Sequence, residues 1–87
     1  MSNRCFVISG NHNEFVRYVA QRIAANPSLN SRDFQYVYGE DVFRGRSQVH
    51  GVFIGSFRKR KDLQELVFMI RLINKIPQGE YILPCEI

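Results

Sequence analysis

The feature that most constrains this chain is Cys5-Phe6-Val7-Ile8, four consecutive apolar residues rich in β-formers, closed by Ser9-Gly10-Asn11. A strand wetted on one face alternates apolar and polar residues, whereas a strand covered on both faces reads as a continuous apolar run. Val52-Phe53-Ile54, within the strand-like stretch Val49–Ile54 and closed by Gly55-Ser56, has the same character. Two such runs in a short chain call for a sheet with a helix on each face.

The helices announce themselves by spacing. Asn11 followed three residues later by Glu14 has the form of a capping box, and Phe15, Val16, Val19, Ala20 and Ile23 recur at helical intervals. A first helix is predicted from about His12 to Ala25. Asn26-Pro27 stops it, because the residue before proline is pushed out of the α region. Asp62 and Glu65 repeat the capping spacing, and Leu63, Leu66, Val67, Ile70 and Ile73 form the stripe of a second helix to about Lys75. Between the helices, Phe34–Tyr38 reads as a strand ended by Gly39 and Val49–Ile54 as another. Tyr81-Ile82-Leu83 is a candidate fourth strand, which Pro84 confines to an edge.

The resulting order is β-α-β-β-α-β in a single α/β domain, 1–87. The continuous runs favour a mainly parallel, Rossmann-like sheet with a helix on each face, with Glu40-Asp41-Val42-Phe43 supplying one helical turn in the crossover between the second and third strands. The alternative is a ferredoxin-like α+β fold in which those strands form a hairpin. With 87 residues and 45% hydrophobic content, the chain has material for a small core and little for a deep enzyme cleft. No apolar stretch is long enough to cross a membrane, and Met1-Ser2-Asn3-Arg4 leads straight into a strand, so neither a span nor a signal peptide is expected. Cys5 and Cys85 lie at opposite ends with no metal-ligand spacing around them, and both read as reduced thiols of a cytoplasmic protein.

The formal net charge is +4, from 12 basic and 8 acidic residues, but it is not spread evenly. Arg44, Arg46, Arg58, Lys59, Arg60 and Lys61 fall between Asp41 and Asp62 with no acid among them, a stretch of +6. The other six basic residues stand against all eight acids, so the remainder sums to −2. An anionic partner is expected on that stretch, and nine of the basic residues are Arg, whose planar fork suits phosphate. Phe43-Arg44 and Phe57-Arg58 add aromatics beside the charge, with Phe57 the better placed to stack a base and Phe43 the better core plug.

In a parallel sheet, ligands bind beyond the carboxyl ends of strands whose connections diverge. Ser9-Gly10-Asn11-His12 and Gly55-Ser56-Phe57-Arg58 each follow a strand and lead to a helix start, so they form a candidate phosphate-binding pair of loops. Neither GxxxxGK[ST] nor GxGxxG is present, and no acid follows the third strand to hold a metal. His12 and His50 have ordinary structural readings, Glu40 and Asp41 are adjacent and diverge in an extended chain, and no nucleophile has a base beside it in sequence. No catalytic residue, metal or cofactor is predicted.

The second helix carries more apolar surface than one sheet face needs, with Phe68, Met69 and Leu72 outside its main stripe. These residues form a candidate interface, either for a homodimer or for packing against the C-terminal segment around Tyr81 and Leu83. Two resemblances attach to short segments. Cys5-Phe6-Val7-Ile8-Ser9-Gly10 loosely resembles the first-strand motif of RNA-recognition domains, while the aromatics of the third-strand motif are displaced in His50–Phe57. Phe43-Arg44-Gly45-Arg46, leading into Gly51-Val52-Phe53-Ile54-Gly55-Ser56, resembles the Arg-Gly segment before the acidic-motif strand of phage terminases and helicase-like NTPases. Gly55-Ser56 stands where those enzymes carry their acids, so this resemblance implies a phage-type accessory protein that does not hydrolyse nucleotides.

The expected function is therefore a non-enzymatic module that binds nucleic acid or another phosphate-bearing ligand through Arg44, Arg46 and Ser56 to Lys61. One alternative is a protein-protein regulator or inhibitor that meets an acidic partner with the basic strip and the apolar face of the second helix. Another is a small-nucleotide binder at Ser9–His12 and Gly55–Arg58.

Overall fold

The computed structural model describes residues 4–46, 48–75 and 83–84. Strand β1 (Cys5–Ile8) lies between β2 (Phe34–Tyr36) and β3 (His50–Phe53), and both neighbours run parallel to it. Phe6 stands opposite Gln35 on one side and Gly51 on the other; Val7 stands opposite Tyr36 and Val52. A short β4 (Leu83–Pro84) pairs in parallel with β3, giving the order β2-β1-β3-β4.

All four residues of β1 are buried, and the strand's alternation divides them between two cores. Phe6 and Ile8 pack with Val37, Phe43, Val49 and two residues of α2 (Leu63–Asn74), Leu66 and Ile70. Cys5 and Val7 pack with Phe34 and with Val19 of α1 (His12–Ala25), flanked by Phe15, Tyr18 and Ile23. The continuous apolar run thus has the cause inferred for it, a helix over each face. The ferredoxin-like hairpin does not form. The chain passes from β2 to β3 through a single 3₁₀ turn at Glu40–Phe43, pinned by Phe43, which is 1% exposed and sits edge-on to Phe6 at 5.6 Å between ring centroids.

The ends of the elements depart from the sequence reading for identifiable reasons. Helix α1 is capped by Asn11, whose Oδ1 accepts from the Glu14 N–H at 3.0 Å. Helix α2 has no such cap, because the Asp62 carboxylate faces Arg60 instead. Strand β3 begins at His50 rather than Val49 because the Asn74 side chain takes both backbone groups of Val49, accepting from its N–H at 2.7 Å and donating to its carbonyl at 3.0 Å. Strand β2 ends at Tyr36, with Val37 making one more bond, to the Val7 carbonyl at 3.1 Å; Tyr38 is out in solvent. Of the expected fourth strand, Tyr81 and Ile82 lie outside the described residues.

One expectation is overturned in the central strand. Cys5, read as a reduced thiol, is disulfide-bonded, and the sequence holds one other cysteine, Cys85, outside the described residues. Distance along the chain misled the reading: β4, near the C-terminus, shares a sheet with β1. Among the described residues no helix is long and apolar enough to cross a membrane.

Candidate functional site

The chain leaves β1 for a helix on one face and β3 for a helix on the other, so the crevice beyond their carboxyl ends is where a ligand is expected. The structure brings the two predicted loops together there. Gly10 approaches Ser56 so closely that a Cβ on it would overlap the Ser56 Oγ, and Gly55, at φ +58°, leaves room for the Glu14 carboxylate, whose Cδ would lie 2.6 Å from an added Cβ. Glycine is required at 55 for conformation and for space alike.

The seat between the loops is filled by the protein itself. Glu14, in the first turn of α1, accepts from the Gly10 N–H at 2.7 Å. Both of its oxygens also accept from the Ser56 N–H at 3.1 Å, and the Ser56 hydroxyl donates to them at 3.0 and 3.1 Å. These are donors that an anion bound between the two loops would need. Burial pushes the Glu14 carboxyl up, but hydrogen bonds from the Ser56 backbone and hydroxyl and from the Gly10 and Asn11 backbones outweigh it, so the group stays below the ordinary glutamate range. Ser9 is fully buried and donates its hydroxyl to the Asn11 carbonyl at 2.7 Å, so it faces no ligand. His12 is exposed at the rim, edge-on to Tyr36 at 5.2 Å. A phosphate entering this seat meets a carboxylate that already holds its donors.

The basic stretch divides on folding. The Arg60 side chain is 8% exposed. Its Nε and Nη2 grip the two Asp62 oxygens, each at 2.9 Å, while Nη1 donates to the carbonyls of Ser9, at 3.2 Å, and Val37, at 2.5 Å. It therefore clamps the ends of β1 and β2 to the entry of α2 and is taken out of the predicted phosphate-binding set. Its neighbours Arg58 and Lys59, in a 3₁₀ turn at Phe57–Lys59, and Lys61 are exposed. Phe57, expected in solvent, is half-buried against Phe53, with ring centroids 5.0 Å apart, and the Arg58 guanidinium lies 5.6 Å from its ring.

On the 40–43 side, Arg44 is exposed and pairs with Asp41 at 3.4 Å, and Arg46 is exposed with its guanidinium 5.3 Å from the ring of Phe6. The acid-free stretch also acquires acids in space. Glu40, Asp41, Asp62 and Glu65, with Tyr38 and Gly39, line an open groove of about 470 Å³ between the 40–43 turn and the start of α2. Among the described residues no His/Cys/Asp/Glu cluster is arranged to hold a metal ion.

On α2, Phe68 and Leu72 are 62% and 57% exposed, whereas Met69, grouped with them from sequence, packs against the core. Sequence reasoning missed Glu14 and Asn74 as structural anchors. Glu14 carried a signal, its place at the third helical position, but only for a local cap. No protein-family model, curated protein or solved structure matches the chain.

Proposed function

We propose that the chain is a small, non-enzymatic, Rossmann-like module that docks on the sugar-phosphate backbone of nucleic acid through Arg58, Lys59 and Lys61, with Arg44 and Arg46 as outlying contacts. The observation that carries this reading is one short turn that presents three exposed cations while the fourth, Arg60, is buried beneath them as its anchor. A buried clamp holds the turn in place, so less ordering entropy is lost when phosphates bind. Glu14 in the crevice favours a ligand on the rim over one in a pocket. Recognition of this kind follows charge and not sequence.

A gel-shift series with single- and double-stranded DNA and RNA at two salt concentrations tests the proposal. Binding is expected to weaken with salt by roughly 0.7 to 0.9 log units per contacted phosphate per log unit of salt. Arg58→Ala/Lys59→Ala should weaken it and flatten that slope. Equal binding by this variant and the wild type, or no binding by either, overturns the reading. A regulator of another protein is the second reading, favoured by the exposure of Phe68 and Leu72; it requires partner binding that Phe68→Asp abolishes and Arg58→Ala/Lys59→Ala leaves in place.

A further inference from the structure

The three exposed cations of the turn are not equivalent. Phe53 and Phe57 both pack against the core on the α2 side of the sheet, with ring centroids 5.0 Å apart. The Arg58 guanidinium lies over the Phe57 ring, 5.6 Å from its centroid, and the residue is exposed. A cation within about 6 Å of a ring face is attracted by the ring's quadrupole. Phe53, Phe57 and Arg58 therefore form a layered stack that starts at the core and ends in solvent on a flat, charged group. Lys59 and Lys61 carry no such plane, since an ammonium is a point charge.

The flank of the turn restricts what can lie on it. Lys61 is followed directly by Asp62, which lines the acidic groove with Glu40, Asp41 and Glu65. A duplex presents two rows of phosphates, separated by grooves about 6 and 12 Å wide, and so spreads over the cations and their acidic flank together. A single strand has one row and can follow the cations alone. The stack gives the same preference. Every base has a π-face that a guanidinium plane can meet, whatever the sequence, but in a duplex those faces are covered by neighbouring base pairs and exposing one means breaking the stack.

We propose, resting on the nucleic-acid reading of the same turn, that its ligand is a single strand, one base of which stacks on the outer face of the Arg58 guanidinium while Lys59 and Lys61 hold the phosphates on either side. Arg58 then reads the presence of an unpaired base and the lysines supply the salt-dependent attraction.

Fluorescence anisotropy of the whole chain with three labelled probes of equal length, an oligothymidylate, an abasic strand and a duplex, decides it. The oligothymidylate should bind at least about fivefold more tightly than the abasic strand, the lower end of what one stacked base contributes, and more tightly than the duplex. Arg58→Lys keeps the charge and removes the plane. It should lose that margin on the oligothymidylate, leave the abasic strand and the salt slope as they are in wild type, and keep the circular dichroism spectrum. Equal binding of the oligothymidylate and the abasic strand overturns the stacking, as does an Arg58→Lys variant that retains the margin. A duplex bound more tightly than the single strand overturns the choice of ligand and leaves the nucleic-acid reading standing. Failure to bind any of the three overturns both.

Discussion

Arg60 carries a charge into a site where its side chain is 8% exposed, and it donates there to the Ser9 and Val37 carbonyls and to the Asp62 carboxylate. Removing it leaves the Ser9 and Val37 carbonyls without their partner and Asp62 without its counter-ion. Breaking one side of a buried pair is far more damaging than the pair is stabilising, so Arg60→Ala should lose about 2–4 kcal/mol in urea unfolding. Arg58→Ala, two residues away and in solvent, should stay within about 0.5 kcal/mol of wild type. The same measurement on both variants separates clamp from rim. Glu14 makes the complementary case with a negative charge. Its carboxyl is held below the ordinary range in the folded protein, so the unfolded chain takes up the proton more readily. The stability this group contributes is complete above the unfolded value, near 4.5, and is lost as pH falls through the lower folded value. Thermal melts between pH 7 and pH 3 should therefore show a steeper acid-side fall for wild type than for Glu14→Gln. Matching profiles would mean that the carboxylate is not held as described.

At the level of elements, what could be read in advance was local. Helix α1 follows from Asn11 and five apolar residues at helical intervals, and the 40–43 turn from a short crossover in need of a compact link. The interactions that place the elements against each other were not legible, because they join residues distant in sequence. Ser56 meets Glu14 across 42 positions and Asn74 meets Val49 across 25. A sequence window also reads a run such as Arg58-Lys59-Arg60-Lys61 as uniform, although the fold turns one of the four inward. Asp62 shows two local rules in competition: the spacing to Glu65 suggests a cap, but an arginine two residues earlier offers a bidentate charged partner, and the stronger hydrogen bonds prevail. Two substitutions test the joints. Phe43→Ala removes the plug of the 40–43 turn from both β1 and α2 and should cost about 3–5 kcal/mol. Asn74→Ala strands the amide of Val49, a fully buried residue, and should cost about 1–3 kcal/mol. Amide exchange should rise at β3 in the second variant more than at β2.

Across the whole molecule, two thin cores share one four-residue central strand, and a domain of this size has a narrow stability margin. The net charge of +4 includes, in space, an exposed cationic turn, a half-buried carboxylate held at the crevice and an acidic groove beside α2. The exposed charges add little cohesion, since a surface pair such as Arg44 with Asp41 contributes at most about 1 kcal/mol. In so small a domain the bridge at Cys5 is expected to contribute a sizeable part of the stability. It also removes the ground on which reduced thiols pointed to the cytoplasm, because disulfides persist chiefly in oxidising compartments. A native disulfide in a small domain contributes about 2–4 kcal/mol, and each kcal/mol corresponds to roughly 4–8 °C of melting temperature at this length. Reductant should thus lower the wild-type melting temperature by about 10 °C or more, converting these two scales. Cys5→Ala should melt low from the start and be insensitive to reductant. If reductant leaves the wild type unchanged, the bridge contributes nothing, and cohesion comes from the two cores and the polar joints at Arg60, Asn74 and Glu14.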